Sequence, residues 1–302
     1  MKKILSGALA LAAAVFFFGT AEAASGARAK MIQVKGSDTM VNLVQILAEE
    51  YMEKQPGTSI AVLGGGSGTG ITGLINRTCD IANSSREWKQ KEIDQAWEKG
   101  VKPRLFVVAV DGLSIIVNEK NPIDSLTMAQ VGSLYRGEVK NWKMLGNFEK
   151  PVSLYGRQSN SGTYVFMQEH VLGNKNYSTD MKEMNGTAQV IESVIQDEGG
   201  IGYVGVGYLY DRDGKVRKGI KVLTVSKAPG APAFSPLDKA AVDSGDYPVA
   251  RPLYMATDGK PSAASAGFIA WVIGPEGQKI VEREGFFTIG PKHREQNEKN
   301  LR

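Results

Sequence analysis

Apolar residues along this chain recur in two alternating spacings. Short apolar runs of strand length are followed by stretches in which apolar residues return every three or four positions, as on one face of a helix. Residues 31–34 predict the first strand, and the next helix starts near Thr39 with Met40, Leu43, Val44, Leu47 and Tyr51 on one face. Residues 59–63 predict a second strand. A glycine-rich turn over 64–70 then leads into a helix carrying Ile71, Leu74 and Ile75, and 80–82 returns to the sheet. Residues 105–110 and 113–117 read as a nearly continuous strand pair interrupted at Asp111-Gly112, a natural place for the chain to cross from one lobe to another. Beyond it come a helix over 127–135, a strand at 152–155, a helix starting near Ser161 or Gly162, a helix carrying Val190, Ile191, Val194 and Ile195, and a strand at 201–206.

The stretch 227–252 is rich in Pro, Ala, Ser and Asp and reads as a long connection back to the first lobe. Helices over 262–273 and 275–284 close that lobe, and the charged tail 292–302 reads as a solvated end. The alternation of strand and helix predicts an α/β architecture. The expected division is 1–23 as a signal peptide, 24–110 with 253–302 as one lobe, and 111–252 as the other.

The first residues support that signal. Lys2 and Lys3 precede an apolar run from Ile4 to Phe18, followed by Ala21-Glu22-Ala23, the form of a secretory signal cleaved after Ala23. No later run reaches membrane-spanning length, so the mature chain is expected to be free in the periplasm. The single cysteine, Cys79, is too far from the start to carry a lipid and has no partner for a disulfide; a small buried side chain is its simplest reading.

With 302 residues the chain is long enough for two compact units, and 42% hydrophobic with 23% charged residues excludes a disordered or fibrous protein. The formal charge of +4 is spread along the chain, so it gives no reason to expect nucleic acid.

Three strand-to-helix junctions carry the candidate chemistry: Ser37-Asp38-Thr39-Met40, Ser67-Gly68-Thr69-Gly70 and Ser161-Gly162-Thr163. Amides at the start of a helix are unpaired, the positive end of the helix dipole faces outward, and small hydroxyl residues add donors without bulk. Such starts suit an anion, although Ser, Thr and Asp are also the ordinary N-cap residues. Arg157, four residues before Ser161, adds a planar and permanently charged fork suited to phosphate or carboxylate. Taken together, these residues predict one convergent oxyanion site.

Other chemistries lack material. Gly68-Thr69-Gly70-Ile71-Thr72-Gly73 has the spacing of a dinucleotide-binding turn, but no acidic partner is clearly placed about 20 residues on. No Gly-Lys-Ser/Thr closes a nucleotide P-loop, and no Gly-x-Ser-x-Gly elbow occurs. His170 and His293 are the only histidines, which leaves little from which to build a metal site or a cysteine–histidine pair.

The strings Gly36-Ser37-Asp38-Thr39-Met40, Gly66-Ser67-Gly68-Thr69-Gly70, Asp80-Ile81-Ala82-Asn83-Ser84-Ser85-Arg86, Arg157-Gln158-Ser159-Asn160-Ser161-Gly162-Thr163 and Gly200-Ile201-Gly202-Tyr203-Val204 resemble the periplasmic phosphate-binding proteins of ABC phosphate importers, the PstS family. The resemblance covers essentially the whole mature chain. It implies a two-lobed, type II-like binding protein with mixed sheets flanked by helices and a ligand cleft at the hinge. It further implies a non-enzymatic receptor without cofactor or metal, which passes inorganic phosphate to permease transmembrane subunits driven by a cytoplasmic ATPase. Matching positions imply that Thr39 with the Met40 amide, Ser67, and Arg157 with Ser161, Gly162 and Thr163 contact the anion.

Ser84 and Ser85 lie where the best-known members place an acidic acceptor, so this chain departs from that pattern. A carboxylate there accepts the proton of hydrogen phosphate and repels sulfate. Asp38 and Asp111 are the candidate substitutes, though Asp38 also reads as a helix cap and Asp111 as a hinge-turn residue. Sulfate, molybdate or tungstate on the same fold, and a secreted phosphatase, are the alternative readings.

Overall fold

A computed structural model describes residues 31–211 and 213–302. The expected signal peptide lies outside the described residues. The described residues form three sheets. The first is built from β1 (Ile32–Gly36), β2 (Ile60–Leu63), β3 (Ile81–Ser84), β4 (Pro103–Gly112) and, far along the chain, β13 (Ala250–Asp258). The second uses β5 (Ser114–Asn118), β7 (Ser153–Arg157), β8 (Lys182–Met184), β9 (Gly200–Val204) and β10 (Ile220–Val222). The third is small, with β6 (Ser125–Thr127), β11 (Thr224–Ser226) and β12 (Ala233–Phe234). The helices are α1 (Val41–Lys54), α2 (Ser67–Ile75), α3 (Gln90–Glu98), α4 (Met128–Tyr135), α5 (Gly162–His170), α6 (Thr187–Gln196), α7 (Lys239–Ser244), α8 (Ala263–Ile273), α9 (Pro275–Arg283) and α10 (Pro291–Leu301).

The first sheet runs β2-β1-β3-β13-β4, with β1 parallel to β2 and β3 and with β13 antiparallel to both neighbours. The second runs β10-β5-β9-β7-β8, with β7 parallel to β8 and β9 and with β5 antiparallel to β9 and β10. Both sheets are thus mixed and flanked by helices, as expected. Strands β5 and β9 are buried along their whole length, which is why their interiors, Ile115 to Val117 and Ile201 to Val204, read as apolar without polar alternation. The chain passes between the sheets at Gly112-Leu113 and at Val249-Ala250. The two crossings lie side by side, with the Leu113 amide donating to the Val249 carbonyl at 3.0 Å.

Two expectations are corrected. The stretch 227–252 holds β12, α7 and the start of β13. Helix α7 is short and capped by the Asp238 carboxylate, which accepts from the Ala240 and Ala241 amides, and Gly245 ends it in the left-handed region. The tail 292–302 is the body of α10, which packs along β4. Asn297 on that helix is buried; its amide group donates to the Val107 carbonyl at 2.6 Å and accepts from the Val107 amide at 2.9 Å. Asn300 adds a bond to the Leu105 carbonyl at 2.7 Å. Two asparagines thus pair with a strand edge that no other strand covers among the described residues.

Candidate functional site

The three junctions named from the sequence meet where the two sheets face each other. The first follows β1, and its turn is closed by the Ser37 amide on the Asn83 carbonyl and the Met40 amide on the Ser37 carbonyl, both at 3.0 Å. The second is the first turn of α2, which begins at Ser67 rather than at Ile71. A β-carbon on Gly70 would come within 2.7 Å of the Gly36 α-carbon, so the glycines of this turn seat α2 directly on β1. The third follows β7, with the Ser161 hydroxyl capping α5 by accepting from the Thr163 and Tyr164 amides at 3.2 and 3.4 Å.

Direct bonds join these junctions. The Gly68 amide donates to the Asn160 carbonyl at 2.9 Å, and the Asn160 side chain donates to the Gly65 carbonyl at 2.9 Å. Gly66 has φ +90° and lies so close to Asn160 that a β-carbon would reach the carbonyl oxygen at 2.7 Å; only glycine meets both demands. Four hydroxyls gather beside these contacts. Thr39 and Thr163 are hydrogen-bonded to each other at 2.9 Å across 124 positions, and both are buried. Ser67 and Ser85 lie 3.3 Å apart, and the Ser85 amide donates to the Ser67 hydroxyl at 3.0 Å.

Arg157 is buried at the end of β7 and fully engaged. Its Nε donates to the Met184 carbonyl at 3.1 Å, Nη1 to the Thr187 hydroxyl at 3.1 Å, and Nη2 to the Asn185 carbonyl at 3.1 Å and to Asp38 Oδ2. Asp38 Oδ1 accepts from the Gly65 amide at 2.7 Å, so this carboxylate ties the first junction to the second and to Arg157. Its carbonyl accepts from the Tyr208 hydroxyl at 2.6 Å. Burial and the nearby Asp38 charge both raise the Tyr208 pKa, which keeps that hydroxyl a donor. Tyr203 accepts from the Arg157 amide at 3.0 Å, and burial pushes its hydroxyl up to about 12.

The remaining sequence candidates are placed as follows. Asp111 is buried in the same region, with Oδ1 accepting from the Val206 amide at 2.8 Å and Oδ2 from Arg251. The Ser84 hydroxyl turns back to the Arg86 carbonyl at 2.7 Å, and Ser37 is buried in its turn. Met40 is a core side chain, and its amide is spent inside the 37–40 turn. The amides of Thr163 and Gly68 are likewise spent on protein acceptors. The junctions therefore present chiefly hydroxyls, where the sequence led us to expect amides and hydroxyls together.

Sequence reasoning missed Arg251. It pairs in register with Asp111 across β13 and β4, and its Nε and Nη2 donate to Asp111 Oδ2 at 3.0 and 2.9 Å. Nη2 also donates to the Thr163 hydroxyl at 3.0 Å. The available signal was a single charge inside the apolar run from Val249 to Ala256, within a stretch read as a connection.

Hydroxyls and charged forks of this kind can hold an anion but offer no evident acid–base pair. His170 stacks on Phe166 with ring centroids 4.1 Å apart, and its Nδ1 contacts the Phe166 carbonyl at the far end of α5. Among the described residues no group of three or more His, Cys, Asp or Glu is placed to hold a metal, and no helix is long and apolar enough to cross a membrane.

A model of the PBP superfamily domain matches residues 21–276. The class set by the fold and cleft is thus that of solute-binding proteins of this superfamily. The phosphate-binding protein PstS of Pseudomonas aeruginosa is 34% identical over 92% of this chain and 88% of its own length. PstS of Borreliella burgdorferi is 29% identical over 86% of this chain and 90% of its own. A solved Clostridium perfringens protein with bound phosphate, assigned as a phosphate ABC transporter substrate-binding protein, superposes with a TM-score of 0.75 at 26% identity, covering 86% of this chain and 100% of that one. The chain belongs to the PBP superfamily and, within it, to the PstS family of phosphate-binding proteins.

Proposed function

We propose that this protein is the periplasmic receptor of a phosphate importer, binding inorganic phosphate between two lobes that meet at the paired crossings. The observation that carries this reading is the convergence of Thr39, Ser67, Ser85 and Thr163 with Arg157 at one buried contact between the halves. A dianion is costly to desolvate, so nearly every oxygen needs a donor. Here hydroxyls supply the donors, and Arg157, ion-paired with Asp38, holds that carboxylate at the junction. The names of the PstS relatives and the phosphate in the Clostridium perfringens protein support phosphate as the anion. Residues 1–23 would direct the chain to the periplasm and be removed there. The loaded receptor would dock on permease transmembrane subunits driven by a cytoplasmic ATPase, and it performs no reaction itself.

The lobes divide near residues 111–112 and again near 249–252, and ligand favours closure because donors from both sides reach it only when they are together. Asp38 is the better candidate for accepting the phosphate proton. Each of its oxygens accepts one hydrogen bond, whereas Asp111 Oδ2 already accepts two from Arg251. Calorimetric titration of the mature protein with phosphate, sulfate, molybdate and tungstate tests the reading. Binding of phosphate ahead of the others is expected, and absence of phosphate binding overturns it. Asp38→Asn should narrow the preference for phosphate over sulfate; an unchanged preference removes Asp38 from that role.

A further inference from the structure

Arg251 stands at the one place where both crossings and both threonine hydroxyls meet. Its partner Asp111 lies just before the first crossing, and Arg251 itself just after the second. One guanidinium nitrogen, Nη2, lies 3.0 Å from Thr163 Oγ1 and 3.5 Å from Thr39 Oγ1, one threonine from each half. The residue is buried, and Nη1 has no hydrogen-bond partner. An arginine placed this way is expensive. Burial lowers its pKa while the Asp111 carboxylate opposes that, and the neighbouring Arg157 charge lowers it further. Each guanidinium is balanced by a carboxylate, Arg157 by Asp38 and Arg251 by Asp111, so what Arg251 offers the site is the direction of its donors rather than a net charge.

A guanidinium donates and never accepts. Nη2 therefore occupies a lone pair of Thr163; one of the two threonine hydroxyls donates to the other, and the positive charge turns the remaining hydroxyl hydrogen toward the opposite side. We propose that Arg251, braced by Asp111, is a positioning residue of the anion site: it orients the linked Thr39–Thr163 hydroxyl pair so that its free hydroxyl hydrogen faces outward as a donor, and it couples their meeting to the hinge. This rests on the reading of the site as a phosphate site. An end of the site that only donates accepts unprotonated oxygens, so a protonated oxygen of the ligand must face Asp38. Arg251 thereby sets the orientation of the ligand and favours the dianion over the monoanion.

Calorimetry on the mature protein, with inorganic phosphate as the probe, tests this for the wild type, Arg251→Met, Thr163→Val and the double variant. Each single change should weaken phosphate by at least about tenfold, and the double change by little more than the worse single one, because both remove the same oriented hydroxyl. Wild-type affinity should rise from about pH 6 to about pH 8, across the second ionisation of phosphate, and that rise should flatten in Arg251→Met. A merely structural role would leave the pH profile in place.

If Arg251→Met fails to fold because Asp111 is left buried and uncompensated, Asp111→Leu with Arg251→Met removes both charges and serves instead. Additive losses, or an unaltered pH profile, overturn the role of Arg251. Failure of the wild type to bind phosphate overturns the functional reading itself, and the two failures are told apart by the wild-type titration.

Discussion

Gly162→Ala tests whether the meeting of the halves is the binding event. Gly162 is the first residue of α5, and its α-carbon faces Ser67 and Ser85 from the other sheet's side of the cleft. A β-carbon there would lie 2.7 Å from Ser85 Oγ and 2.9 Å from Ser67 Cβ, and closer still to Ser67 Oγ. Its φ is not positive, so alanine adds no backbone strain, and in a helix alanine is favoured over glycine by up to about 1 kcal/mol. The clash exists only when the junctions touch. Overpacking of this kind costs about 1–3 kcal/mol, which corresponds to phosphate binding weakened by about 5- to 150-fold. Calorimetry would measure that loss, and thermal melting with and without phosphate would locate it. The free protein should melt as the wild type does, while the rise in melting temperature with phosphate shrinks. Wild-type affinity would refute the reasoning, as would a free protein destabilised by as much as binding is weakened.

Other changes probe the charged groups and the frame. Arg157→Lys keeps the charge but loses the fork that reaches Met184, Asn185, Thr187 and Asp38, so phosphate affinity should fall by about 100-fold or more with an unchanged circular dichroism spectrum. Asn297→Ala leaves the buried Val107 amide and carbonyl without their partners; at about 1–3 kcal/mol each, urea unfolding should show a loss of roughly 2–6 kcal/mol. Burial pushes the Cys79 thiol up to about 11, so below that pH it stays protonated and should resist a thiol reagent in the native protein, then react promptly once urea exposes it.

The core elements were legible because their apolar spacing is local. Met40, Leu43, Val44, Leu47 and Tyr51 are all buried, as the helical spacing of α1 requires. The three junctions could be named because small hydroxyl residues and glycines after a strand carry a local chemical meaning. The spacing of α3 gave no such signal: it buries only Ala96 and leaves Trp97 exposed. Helix α10 escaped for a related reason, since it buries Asn297, a polar residue whose partners lie 190 positions earlier in the chain. Arg251 was hidden by distance as well, because its meaning depends on a register partner 140 positions away. Which donors are free was equally out of reach, since it depends on contacts between the halves.

The two asparagines on α10 have a consequence for how this protein lives among its neighbours. An uncovered strand at the margin of a sheet is a template onto which a second polypeptide can add itself. By occupying the Leu105 and Val107 backbone groups with side-chain amides, the last helix denies that template to other copies. A chain ending before Pro291 would keep every residue of the anion cleft and yet offer an open margin, so its expected failing is self-association into strand-paired oligomers, with ligand recognition spared.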